Sequence, residues 1–289
     1  MYLSHFNVIG FILYIVLTAL FAYLSYRFIE QPTSEWLKTK KTKSIFYTAI
    51  TIMFLALNGF AAYIYINAGV VRDIPELYVT TQNKHRGMHA EYCDRGYKYD
   101  KPFETEKPHW FVIGNSFGRD FVNVILESEI ADKVEVSYTS DFKKNENIER
   151  FKMADKVFIS TLGLNENMVT EIEILCLANG LSPENIVIVG EKNFGESNGQ
   201  IYANRNKENY FDQYIEVEDK ERYINKNKYY ADLYNERFLD LMKMVSNEEE
   251  KVKVFTPSGH FISADCRHLS EGGAKYFAQM IDWNKYIIF

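Results

Sequence analysis

The chain has 289 residues, of which 47% are hydrophobic and 25% charged, and a formal net charge of −6. That apolar content excludes a disordered chain and suffices for at least one full core. The acidic balance, with no basic tract, argues against nucleic acid as a partner.

The first feature along the chain is a pair of uncharged apolar runs, Phe6 to Tyr26 and Ser44 to Val71. Each is long enough to cross a bilayer core of about 30 Å as a helix rising about 1.5 Å per residue. Neither shows a polar face at helical spacing, so two membrane spans are expected in place of two core helices. A cleaved signal peptide is disfavoured, because no basic residues precede the first run and no small-residue cleavage site follows before Arg27. The loop between the runs holds Arg27, Lys38, Lys40, Lys41 and Lys43 against Glu30 and Glu35. Positive loops stay in the cytoplasm, so both ends of the chain are expected on the far side. Residues 1–71 carry a net +3 and leave −9 for the remainder. The expected location is the inner or cytoplasmic membrane, with a periplasmic or extracellular C-terminal domain.

Residues 72–107 are polar and aromatic without strong periodicity, and read as a linker that becomes a segment packed on the domain. From residue 108 to 289 a repeating pattern runs. Strands are expected at 109–113, 133–138, 156–160 and 185–189. Helices are expected at 117–127, 147–153 and 166–179. Short apolar strands alternating with amphipathic helices imply a three-layer α/β domain with a parallel sheet covered on both faces. Residues 190–210 break the rhythm and are expected as a long loop over the carboxyl edge of the sheet. Its Phe194, Tyr202 and Tyr210 either help form an acceptor site or pack the loop down. Residues 229–245 place Tyr230, Leu233, Phe238, Leu241 and Met244 for one buried helical face. A last strand is expected at 253–256 and a last helix at 272–281.

Three cysteines allow at most one disulfide in an oxidising compartment. Cys176 lies in an apolar helical run and reads as core, which leaves Cys93 with Cys266 as the candidate pair.

Three loops carry chemistry. In Gly114-Asn115-Ser116 a buried strand breaks into a helix. Ser116 there is either a nucleophile, set among unpaired N–H groups at a helix start, or a helix cap. Ala264-Asp265-Cys266-Arg267-His268 puts Asp265 and His268 three residues apart, so a turn brings both to one side. His268 is then placed to take the Ser116 proton while Asp265 orients it. Asn165, in Gly163-Leu164-Asn165 beyond the third strand, offers a side-chain N–H to an oxyanion beside the Ser116 N–H, or is simply a turn asparagine.

Together these blocks resemble the SGNH (GDSL-like) hydrolase superfamily over roughly residues 105–285. The resemblance implies a flavodoxin-like fold, Ser116 as nucleophile, His268 as base, Asp265 as its orienter, and Asn165 with the Ser116 N–H as oxyanion donors. It calls for no cofactor and no metal. Asn115 stands where the Gly-Asp-Ser signature has Asp. No glycine lies between Gly118 and Gly163 to supply the family's further oxyanion N–H, which leaves Ser140, after the second strand, as the substitute. Phe28-Ile29-Glu30-Gln31-Pro32, at the end of the first run, resembles the close of the last core helix in the acyltransferase-3 membrane family, whose members move acyl groups onto surface polysaccharides.

Both resemblances imply O-acyl, chiefly acetyl, transfer to a cell-envelope polysaccharide or oligosaccharide. The acyl donor would come from a multi-span membrane core, as the missing N-terminal part of a longer protein or as a companion. A membrane-anchored carbohydrate esterase and a polysaccharide-binding module that has lost its chemistry are the alternatives.

Overall fold

The computed structural model describes residues 8–287 apart from 37, 39, 68, 70, 71 and 83–87. The outer ends of both predicted apolar runs, at 6–7 and 70–71, lie outside the described residues, as does part of the expected linker. The chain divides into two units, Met1–Ile66 and Asn67–Phe289.

The first unit is helical. Helix α1 spans Val8–Ser25, and α2 spans Lys40–Ile66. Two stretches, Leu13–Trp36 and Lys40–Ile66, are long and apolar enough to cross a membrane, and neither is buried against protein. Pro32 does not stop the first helix, although a proline inside a helix often does. The helix widens into a π-turn at Tyr26–Glu30 and continues as Gln31–Trp36. A proline lacks the N–H that the ladder needs, and a widened turn directly before it absorbs that loss.

The second unit is built on five parallel strands. They are β1 His109–Ile113, β2 Glu135–Thr139, β3 Lys156–Ser160, β4 Ile186–Val189 and β5 Phe238–Leu239, in spatial order β2-β1-β3-β4-β5. Between them run α3 Ser116–Leu126, α4 Asn147–Met153, α5 Glu166–Ala178 and α6 Lys226–Tyr234, and α7 Glu271–Met280 closes the fold.

Side chains alternate across a strand with period two, and here the alternation sorts the core. Trp110, Val112, Phe158, Val187 and Val189 join Phe121, Ile125 and Phe277 on one face of the sheet. Phe111, Ile113, Val157, Ile159, Ile186 and Ile188 join Phe151, Val169 and Ile172 on the other. Both faces are covered, so the strands read as continuous apolar runs. Full burial of each such side chain is worth about 1.5–3 kcal/mol.

Two expected elements are replaced. The single helix at 229–245 does not form. Helix α6 ends at Tyr234, Asn235 takes a positive φ of 50°, and Phe238–Leu239 pairs with Ile188–Val189 as the fifth strand. Phe238 packs into one core and Leu239 into the other, which is strand alternation and not a helical stripe. Asp240 then caps a short helix at Leu241–Met244.

The expected last strand of the parallel sheet is displaced as well. Val252–Lys253 pairs antiparallel with Tyr214–Ile215 in a separate two-stranded ribbon. The segment after Gly190 is packed down: Glu191–Phe194 are buried, with Phe194 against Phe277 and Tyr210 against Phe255. That assigns Phe194 and Tyr210 to packing.

Candidate active site

The turn between β1 and α3 is dictated by crowding. Gly114 has φ +152°, and a Cβ there would stand 1.7 Å from the Ser160 carbonyl oxygen at the end of β3. Only glycine lets the chain turn this tightly between two parallel strands. Tyr138 from β2 locks the turn, its hydroxyl donating to Gly114 O at 2.8 Å and lying 3.1 Å from Asn115 O.

Asn115 is the N-cap of α3, its Oδ1 accepting from Phe117 N–H at 3.2 Å. The same oxygen accepts from Leu162 N–H at 3.0 Å, while Nδ2 donates to Leu162 O at 3.0 Å. The cap thus falls to Asn115, and Ser116 is left as the first residue of the helix with its hydroxyl free for other work. Its backbone N–H has no acceptor within the helix by position.

Asp265 and His268 sit on a turn that no main-sheet strand delivers. Antiparallel bridges Phe255–Phe261 and Ser263–Leu269 frame it. Ser263 Oγ donates to His268 O at 2.8 Å, and Phe194 N–H donates to Cys266 O at 2.6 Å. Asp265 Oδ1 accepts from the backbone N–H groups of Arg267 and His268 at 3.0 and 2.9 Å. Its Oδ2 lies 2.7 Å from His268 Nδ1, and His268 Nε2 lies 2.8 Å from Ser116 Oγ. The carboxylate assigns the proton to Nδ1, so Nε2 presents a lone pair to the serine hydroxyl.

Burial pushes the Asp265 carboxyl up, but the His268 ring and the two backbone donors outweigh it and hold the group well below the usual carboxylate range. A lowered carboxyl contributes stability above its unfolded pKa of about 3.9 and loses it as pH falls through the folded value. The denaturation midpoint of Asp265→Asn should therefore lie below that of the parent by a constant amount from pH 7 to about 5. That difference should shrink below about pH 4; a constant gap down to pH 3 would contradict the ionised assignment.

The structure brings Ser116, His268 and Asp265 together. Asn165 is placed otherwise: it is exposed and caps α5, accepting Met168 N–H at 3.0 Å and donating to Gly163 O at 3.1 Å. Both side-chain bonds stay inside its own turn. Ser140 follows the end of β2, whose Thr139 O accepts Gly114 N–H at 3.0 Å, so it stands beside the Gly114–Ser116 turn. None of Cys93, Cys176 and Cys266 is in a disulfide. The expected Cys93–Cys266 bridge is not formed, and the buried Cys93 thiol lies 3.6 Å from Leu269 O instead.

Sequence reasoning passed over Asp120 and Lys192, both buried directly behind the site. Neither stands out in the sequence, where Asp120 adjoins Arg119 and Lys192 lies between Glu191 and Asn193.

No family model matches the chain, and no curated protein matches it. Among solved structures, the lipopolysaccharide acetyltransferase periplasmic domain of Salmonella ser. Paratyphi A is similar at 13% identity and a TM-score of 0.48, over 68% of this chain and 95% of that one.

Proposed function

We propose that the chain is an O-acyltransferase, passing an acyl group, chiefly acetyl, to a hydroxyl of a cell-envelope polysaccharide through a Ser116 ester. The observation that carries the chemistry is the 2.8 Å contact between Ser116 Oγ and His268 Nε2, with Asp265 on the far ring nitrogen. Acceptor and donor rest on Phe28–Pro32 and its resemblance to the acyltransferase-3 helix end. The donor would come from a multi-span membrane core and be received on the outer side of the membrane.

In the reaction, His268 Nε2 takes the Ser116 proton as Oγ bonds to the acyl carbonyl carbon. The Ser116 N–H at the start of α3 faces the developing oxyanion, where the helix terminus favours negative charge. Collapse expels the donor's oxygen, which receives the proton from His268. A sugar hydroxyl then repeats the sequence, giving its proton to His268 and leaving with the acyl group, which frees Ser116.

Asn165 serves this scheme only if its amide turns from Gly163 O toward the oxyanion. Asn165→Ser keeps a capping oxygen but removes the NH2 group. If Asn165 is a donor, kcat should drop by about 100-fold with an unchanged melting midpoint. Equal kcat would leave Asn165 as a cap.

A second reading, membrane-anchored carbohydrate esterase, is favoured by the openness of the site, since the Asp265 side chain is 53% exposed and that of His268 30%. Water reaches such a base as readily as a sugar does. The full chain in detergent micelles should be given an aryl acetate with and without envelope oligosaccharide. Acetylated oligosaccharide formed at the expense of free acetate supports transfer; acetate alone supports the esterase. Absence of turnover and of Ser116 labelling by a fluorophosphonate leaves a binding module.

A further inference from the structure

Asp120 lies one helical turn beyond Ser116 on α3 and is 1% exposed. Its Oδ2 accepts Leu269 N–H at 3.0 Å, the backbone group directly after His268. Its Oδ1 accepts from Arg119 Nη2 at 3.0 Å, and Arg119 also reaches Asp94. Lys192, from the buried segment after β4, places Nζ 3.0 Å from Asp120 Oδ2, as an ion pair more than as an aligned hydrogen bond. The same ammonium sits 3.5 Å from the centre of the Phe117 ring, which meets the His268 ring edge to face at 6.3 Å.

Stability alone is a poor reason for this pair. Two charges withdrawn from water cost more than apolar residues of the same size, and replacing a buried pair by apolar groups is often neutral or stabilising. Burial pushes the Lys192 ammonium down, and Asp120 opposes that shift. What the pair does accomplish is geometric. The helix that carries Ser116 and the turn that carries His268 come from chain positions 152 residues apart, and the Asp120 carboxylate joins them one residue from the base.

We infer that Asp120 is a positioning residue that sets the Ser116–His268 distance by anchoring Leu269 N–H to α3, with Lys192 as the buried counter-charge that aims its carboxylate. The inference rests on the reading of Ser116 and His268 as nucleophile and base. Misplacing a catalytic group by about 1 Å costs on the order of 100-fold in rate, so the pair should show in kcat and not in KM.

Two double variants of the full chain in micelles test this, read by the rate of fluorophosphonate labelling and by kcat and KM on an aryl acetate. D120L/K192M removes both charges together, so no unpaired charge is left in the core, and Arg119 keeps Asp94. It should fold with a near-parental melting midpoint yet label about 100-fold more slowly, with KM little changed. D120N/K192M retains an acceptor for Leu269 N–H and should label within about tenfold of the parent. Should leucine prove too large to fold, D120A/K192M takes its place. Parental labelling in the folded leucine or alanine variant overturns the inference, as does an asparagine variant as slow as they are. Labelling that survives Ser116→Ala would instead overturn the nucleophile reading, whatever the Asp120 variants do.

Discussion

Ser116→Ala is expected to reduce aryl-ester turnover by about 10⁴-fold or more and to abolish fluorophosphonate labelling, with the melting midpoint unmoved. The reason is structural: Asn115, not Ser116, caps α3, and the serine hydroxyl's described bond is to His268 Nε2. On the proposed reading, removing Oγ therefore deletes the nucleophile, and it removes no helix cap. His268→Ala should fall to the same floor, and the double variant should be no worse than either single one, because nucleophile and base act as one unit. Multiplicative losses in the double variant would mean that the two side chains work separately. A residue that was only a cap would behave in the opposite way, losing about 1 kcal/mol of stability and no turnover.

The second large effect is on folding. Gly114→Ala should destabilise the second unit, Asn67–Phe289, by about 3 kcal/mol or more, because it combines a disfavoured backbone angle with a steric clash. The new Cβ would lie 1.7 Å from Ser160 O and 2.6 Å from the Ser160 carbonyl carbon. Neither atom can move without pulling β3 away from β1, since Ser160 pairs through β3 with Val189 and the strand is buried on both faces. Gly163→Ala is the control. Its φ, +88°, is also positive, but nothing lies within 4 Å of the added methyl. It should cost only the backbone term, about 1–2 kcal/mol. A urea midpoint for Gly114→Ala equal to that of Gly163→Ala would show that the turn tolerates the methyl and that the close approach to β3 is not required.

The strands at 109–113 and 156–160 were legible because each is a short apolar run bounded by polar or turn residues, and both lie inside a sheet covered on both sides. The same logic failed at 229–245. There Tyr230, Leu233, Phe238, Leu241 and Met244 fit one helical stripe, yet Asn235, with a positive φ of 50°, ends the helix, and Phe238–Leu239 adds to the edge of the sheet beside β4. Two residues of strand carry too little periodicity to be seen, and the free edge of β4 that recruits them is a tertiary fact. The last strand, expected at 253–256, was misplaced for a related reason: two residues of strand, Val252–Lys253, fit an antiparallel ribbon as well as a parallel sheet.

For the site, Asp265-x-x-His268 was readable because the spacing itself closes the turn, with two backbone donors on the carboxylate. Asn165 was read by its position after a strand, while its side chain is placed on the start of α5. Local hydrogen bonding to one's own turn competes with reach across a site, and spacing does not reveal which prevails.

From the residues alone came two apolar runs long enough for a membrane, the alternation that makes a parallel α/β sheet, and the three residues now found within hydrogen-bond distance. These are properties of local sequence: length, period and spacing. Tertiary structure decided what joins them. Ser116 and His268 meet because Gly114 lets the turn pass under Ser160, and because Asp120, with Lys192 buried behind it, holds the two loops in contact. Such a meeting depends on side chains far apart along the chain, and no period in the sequence encodes it.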